Sequence, residues 1–90
     1  MNTKLILKDK AKSPLQENVT RNMKIAMAMR GVYQKDLASA LEITSAAISA
    51  KFTGKTLWNL EDIEKASEFF SVEPEALVAG HGFEPWTSGL

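Results

Sequence analysis

From Ser13 to Gly80 the chain is a succession of short amphipathic segments, each opened by a residue that starts a helix and closed by one that stops it. In Ser13-Pro14-Leu15-Gln16, an N-cap Ser, a Pro at the first helical position and a capping-box Gln predict a helix starting near Pro14. Val19, Met23, Ala26 and Met29 recur at steps of three or four, so one side of that helix is buried, and Gly31 offers the left-handed residue that ends it. Gln34 to Leu41 puts Leu37, Ala38 and Leu41 on one face. After a short break, Ser45 to Phe52 follows with Thr44 as N-cap and with Ile48 and Phe52 pointing inward. Gly54-Lys55-Thr56 interrupts the pattern. Asn59, with Asp62 three residues on, then caps a fourth helix whose apolar face is Leu60, Ile63, Ala66 or Ser67, and Phe70. Pro74 opens a brief fifth helix ending at Gly80. No segment alternates as a sheet requires, apart from a possible strand at Leu5-Ile6-Leu7, and no period of 20 to 50 residues repeats. The expected fold is all-α, a compact bundle of about five helices.

With 90 residues, 44% of them hydrophobic and 24% charged, there is room for one modest core, so a single domain is expected over residues 14-80. Residues 1-13 form a Lys-rich arm, either a short strand or disordered. Residues 81-90, with Gly and Pro breakers beside Phe83 and Trp86, are expected to lack regular structure. The absence of Cys excludes disulfides, thiolate metal sites and Cys nucleophiles. The lone His81, beside Glu84, is too little for a metal site, so no metal and no cofactor is expected. No apolar run approaches the roughly 20 residues of a membrane helix and no leader opens the chain, so a cytoplasmic protein without membrane partners is expected.

The net charge of zero conceals an asymmetry. Residues 1-60 carry ten Lys or Arg against four Asp or Glu, whereas residues 61-90 carry one against seven. A basic half can bind a polyanion by releasing condensed counterions, and an acidic half turned away from it fixes orientation. Two solvated faces of opposite sign would produce the same counts.

The stretch Gln34-Lys35-Asp36-Leu37-Ala38-Ser39-Ala40-Leu41-Glu42-Ile43-Thr44, continuing through Ala47-Ile48-Ser49 to Gly54-Lys55, resembles the helix-turn-helix of the Cro/C1-type (xenobiotic-response-element) family of phage and bacterial repressors. Leu60-Glu61-Asp62-Ile63 through Phe70 and on to Leu77 extends the resemblance, which covers roughly residues 18-78. It implies a lambda-repressor-like DNA-binding domain in which the segment from Ser45 enters the major groove while the one before it lies over the phosphates. Small Ala38 lets the two helices cross closely. By position, Gln34 matches the family's phosphate-binding Gln, Thr44, Ser45, Ala46, Ala47 and Ala50 match its groove-facing places, and Gly54 and Lys55 match the loop touching the next phosphates. Ser49 shares the small-residue side, and Lys51 is a neighbouring cation within reach of DNA.

Two departures from the family stand out. Tyr33 occupies the place usually held by Ser or Thr before the Gln, where its ring either packs on the first helix or reaches a phosphate. The reading helix also holds no Arg, Asn or Gln, the side chains that bond guanine or adenine in bidentate fashion at about 1-3 kcal/mol each. Specificity would then rest on alanine methyls against thymine methyls, on DNA shape, on Lys51, or on the arm lysines Lys4, Lys8, Lys10 and Lys12 along a groove.

Each of these features has a plainer counterpart. Gln34 can be a solvated helix start, Lys51 and Lys55 solvated cations, and the Ser and Ala stripe a helix-helix contact. Trp58 is expected in the core rather than stacked on a base. Phe70 turns inward, leaving Phe69 with Leu77, Val78, Phe83 and Trp86, or a strand at Leu5-Ile6-Leu7, as candidate surfaces for a homodimer. The expected function is sequence-specific binding of double-stranded DNA as a transcriptional regulator of phage or mobile-element type, with no small-molecule ligand. A protein-interaction module on the same fold, antitoxin-like or antirepressor, is the alternative. No nucleophile with a base, phosphate loop or metal-ligand set points to an enzyme.

Overall fold

The computed structural model describes residues 13-80, which form a bundle of five helices with no strand among the described residues. They are α1 (Pro14–Arg30), α2 (Gln34–Leu41), α3 (Ser45–Phe52), α4 (Leu60–Phe70) and α5 (Pro74–Val78). No helix among these residues is long and apolar enough to cross a membrane. The all-α expectation and the order of elements hold. The readings on Leu5 to Leu7, the arm lysines, His81, Phe83 and Trp86 lie outside the described residues.

Local chemistry sets the boundaries. Ser13 accepts a hydrogen bond from the Gln16 backbone N–H, and Gly31, at φ 67°, ends α1 in the left-handed region where glycine carries no Cβ penalty. The α2–α3 connection is only Glu42, Ile43 and Thr44. Glu42 takes a left-handed conformation, its N–H bonding the Ser39 carbonyl, while Ile43 bonds the Ala38 carbonyl and packs against the core. Thr44 then caps α3 through Oγ1, 3.0 Å from the Ala47 N–H. At α4 the expected cap is reciprocal: Asn59 accepts from the Asp62 N–H at 2.8 Å and the Asp62 carboxylate accepts from the Asn59 N–H at 2.9 Å.

The core is one contiguous cluster. Val19, Met23 and Ala26 of α1 meet Leu37, Ala38 and Leu41 of α2, Ile48 and Phe52 of α3, Trp58 of the segment before α4, Ala66 and Phe70 of α4, and Leu77 of α5. Helix α1 lies on α5, and α4 packs against both α2 and α5. Phe52 and Trp58 meet edge to face, ring centroids 5.1 Å apart. The fifth helix, too short to persist alone, is held by Leu77 in the core and by its own carbonyls: buried Asn22 donates to those of Leu77 and Ala79, and Arg21 to those of Ala79 and Gly80.

Several inward assignments are corrected. Met29 is 47% exposed and Leu60 is 86% exposed. At 3.6 residues per turn a step of three falls about 60° short of a full turn, so repeated threes walk off the buried face. Arg30, four residues after Ala26, is exposed as well, but its guanidinium reaches across to the Phe70 carbonyl at the end of α4. On α4 it is the opposite margin, at Asp62, that is buried, and both Ala66 and Ser67 are buried with it. Gln16 does not reach back to close a capping box. Its side chain accepts from the Trp58 N–H at 2.8 Å and donates to the Trp58 carbonyl at 3.0 Å, tying the first turn of α1 to the segment before α4. Of the expected dimer residues, Leu77 is wholly buried, and Phe69 is half-buried against the core and in edge contact with Phe70.

Candidate functional site

The outward face of α3 is built from small side chains because its inward face holds the large ones. Ile48 and Phe52 anchor the helix in the core, which leaves Ser45, Ala46 and Ser49 exposed and Ala47 and Ala50 half-exposed along the other side. Thr44, also exposed, sits at the N-terminal end. Its Oγ1 occupies the Ala47 N–H, and no acidic residue stands in the first turn. The result is an eight-residue helix whose free surface is low, nearly uncharged and open at its positive end.

Exposed cations and donors lie on the elements before and after this helix. Gln34 and Lys35 open α2 on the surface. Lys55 follows α3 in a loop shaped by its own backbone, for Gly54 takes φ 84° and the N–H groups of Lys55 and Thr56 both return to the Ala50 carbonyl. Lys55 is therefore an exposed charge on a fixed base rather than on a loose loop. Tyr33 neither packs on α1 nor caps with its side chain: it is 71% exposed, and the Asp36 carboxylate takes its backbone N–H at 2.8 Å. On the α1 side, Arg21 and Lys24 border a cleft of 520 Å³ that reaches Phe52, Thr53 and Gly54 at the end of α3.

Lys51 has a different place from the one expected. Its side chain runs inward, and Nζ lies 2.7 Å from Asp62 Oδ2, 2.9 Å from the Leu57 carbonyl and 5.9 Å from the Trp58 ring centroid. Both partners of the ion pair are nearly sealed from water. Lys51 is thus withdrawn from the exposed face and joins α3 to the start of α4. Periodicity offered one signal, since Lys51 stands three residues after Ile48 and so on the inward margin of α3. Asp62 offered another, its capping carboxylate having a lone-pair direction free for a cation, but which acid on another helix Lys51 would meet was not local information.

The acidic residues gather elsewhere. Glu61, Glu64, Glu68, Glu73 and Glu75 are exposed on or beside α4 and α5. Lys65 answers part of that charge, 3.1 Å from Glu61 and 3.4 Å from Glu42, linking α4 to the end of α2. Its ammonium is held above the usual lysine value of 10.5, chiefly by the hydrogen bond to Glu61, with Glu42 adding to the shift and partial desolvation opposing it. Among the described residues no three His, Cys, Asp or Glu side chains converge to hold a metal ion. Of the sequence-derived candidates, Gln34, Thr44, Ser45, Ala46, Ala47, Ser49, Ala50 and Lys55 are exposed or half-exposed on α2, α3 and the loop after it, and Lys51 is not. Comparison with models of known families, with curated proteins and with solved structures finds no match to this chain.

Proposed function

We propose that the chain is a sequence-specific DNA-binding transcriptional regulator of phage or mobile-element type, with α2 and α3 acting as a helix-turn-helix of the Cro/C1-type. Helix α3 enters the major groove and α2 crosses the sugar-phosphate backbone. One observation carries this reading: the outward side of α3 is small and nearly uncharged, exposed Gln34 and Lys35 open α2 and exposed Lys55 follows α3, while five of the seven exposed acids among the described residues stand on or beside α4 and α5, the others being Glu17 and Glu42. Small side chains let the helix backbone approach the groove floor, and the flanking donors lie where phosphates run on either side of a groove. Alanine methyls supply contact to thymine methyls, and the rest of the discrimination comes from DNA shape. Because a single short helix reads few base pairs, the protein acts as a homodimer on two half-sites about one helical turn apart. It blocks transcription by occupying its operator and performs no chemical step.

The experiment is a titration of labelled duplex at 50 to 200 mM salt. Affinity is expected to fall steeply over that range, and Lys55→Ala to flatten the log-log slope by about one phosphate contact while weakening binding to all sequences alike. A salt-independent interaction would count against DNA.

A second reading has one observation in its favour: α3 presents no side chain able to make a bidentate base contact. The same low surface would suit a partner helix, making the chain an antitoxin-like or antirepressor module that binds another regulator. The titration separates the two.

A further inference from the structure

Three large apolar side chains stand in water at the end of the molecule where α1 begins. Leu15, in the first turn of α1, is 55% exposed, and Leu57 and Leu60, on either side of Trp58 and Asn59, are 42% and 86% exposed. They share that end because the Gln16 side chain holds the Trp58 backbone at both its N–H and its carbonyl. The floor beneath is rigid: Trp58 is buried, its Nε1 bonded to Thr20 at 2.8 Å and its ring under the Lys51 ammonium. Glu17, Glu61 and Glu64 are exposed close by in the chain; Glu61 is paired with Lys65 at 3.1 Å, and Glu17 shares the cleft between α1 and the end of α3 with Arg21 and Lys24.

We infer that this apolar end is the docking site for the chain's own segment Leu5-Ile6-Leu7. The segment is complementary in kind: an apolar triplet flanked by Lys4 and Lys8 meets leucines flanked by glutamates. It is also near enough. Ser13, where the described chain begins, lies two residues before Leu15, and the six residues from Ser13 back to Leu7 span up to about 20 Å. Docking there covers the leucines and brings Lys4 and Lys8 toward Glu17 and Glu64. The DNA reading rests on α2, α3 and Lys55 and does not depend on this contact.

The chain has no cysteine, so engineered pairs report cleanly. In dilute, DNA-free solution, Leu7→Cys combined with Leu60→Cys is oxidised beside Leu7→Cys combined with Lys24→Cys. Lys24 is exposed, off the apolar end, and about 17 Å along α1 from Ser13, hence within the same reach. A second pair, with Leu57→Cys replacing Leu60→Cys, guards against one unfavourable side-chain geometry. A docked segment raises the local thiol concentration, so at least one of the leucine-site pairs is expected to close within a single chain about tenfold faster than the Lys24 pair. Equal rates for all pairs would overturn the inference, as would disulfides that join two chains, which would assign the site to a second copy.

Discussion

Two lysines four residues apart, Lys51 and Lys55, have opposite environments, and the difference sets what each substitution does. Lys51 is sealed against Asp62 and Trp58, so removing its charge strands a buried carboxylate that still holds the Asn59 N–H. Lys51→Met is therefore expected to destabilise the fold by about 3 kcal/mol or more, seen as a lowered urea midpoint. Lys55 is exposed, and Lys55→Ala should stay within about 0.5 kcal/mol of the parent stability. A Lys51→Met protein as stable as the parent would show that the ion pair contributes little. Spacing placed Lys51 on the inward margin of α3 but could not name its partner. In the sequence both residues are cations beside a small-residue helix, and the packing of α4 supplies the acid that meets one of them.

At the scale of elements, the caps and breakers were legible because each acts within a few residues. Ser13, Gly31, Thr44 and the Asn59–Asp62 pair all behave as their chemistry requires. What was not legible depends on neighbours distant in the chain: Gln16 bonding Trp58, Asn22 and Arg21 holding α5, and Leu60 left outside while Asp62 is drawn in. The link between α2 and α4 through Lys65 yields a pH-dependent prediction. Because the folded-state value is raised above 10.5, the stability from Lys65 is fully present below pH 10.5 and is lost as pH rises through the higher folded value. Lys65→Met should accordingly be less stable than the parent at neutral pH, the two converging in strongly alkaline solution, as followed by denaturant melts across pH. For α3, the prediction is separation of folding from function. Ala46→Glu, on the exposed first turn, should leave the unfolding free energy within about 0.5 kcal/mol of the parent because the position is exposed. It should nonetheless abolish DNA binding by placing an acid in the groove.

Across the whole molecule, charge and packing divide the labour. The first three helices carry the small-residue face of α3 and most of the exposed cations, and the last two present most of the exposed acid, with Arg30 and Lys65 bonding across between the groups. The division was already visible in the opposite charge surpluses of residues 1-60 and 61-90, although one of the ten cations, Lys51, proves to be internal. The central claim is that the α3 face reads duplex DNA. It is tested most directly by selecting retained sequences from random duplexes at near-physiological salt with the parent protein, Gln34→Ala and Ala46→Glu in parallel. Enrichment of a short two-fold-symmetric motif by the parent, weakened in Gln34→Ala and absent in Ala46→Glu, is the predicted result. Retention of no sequence, or an identical motif in all three proteins, would contradict it.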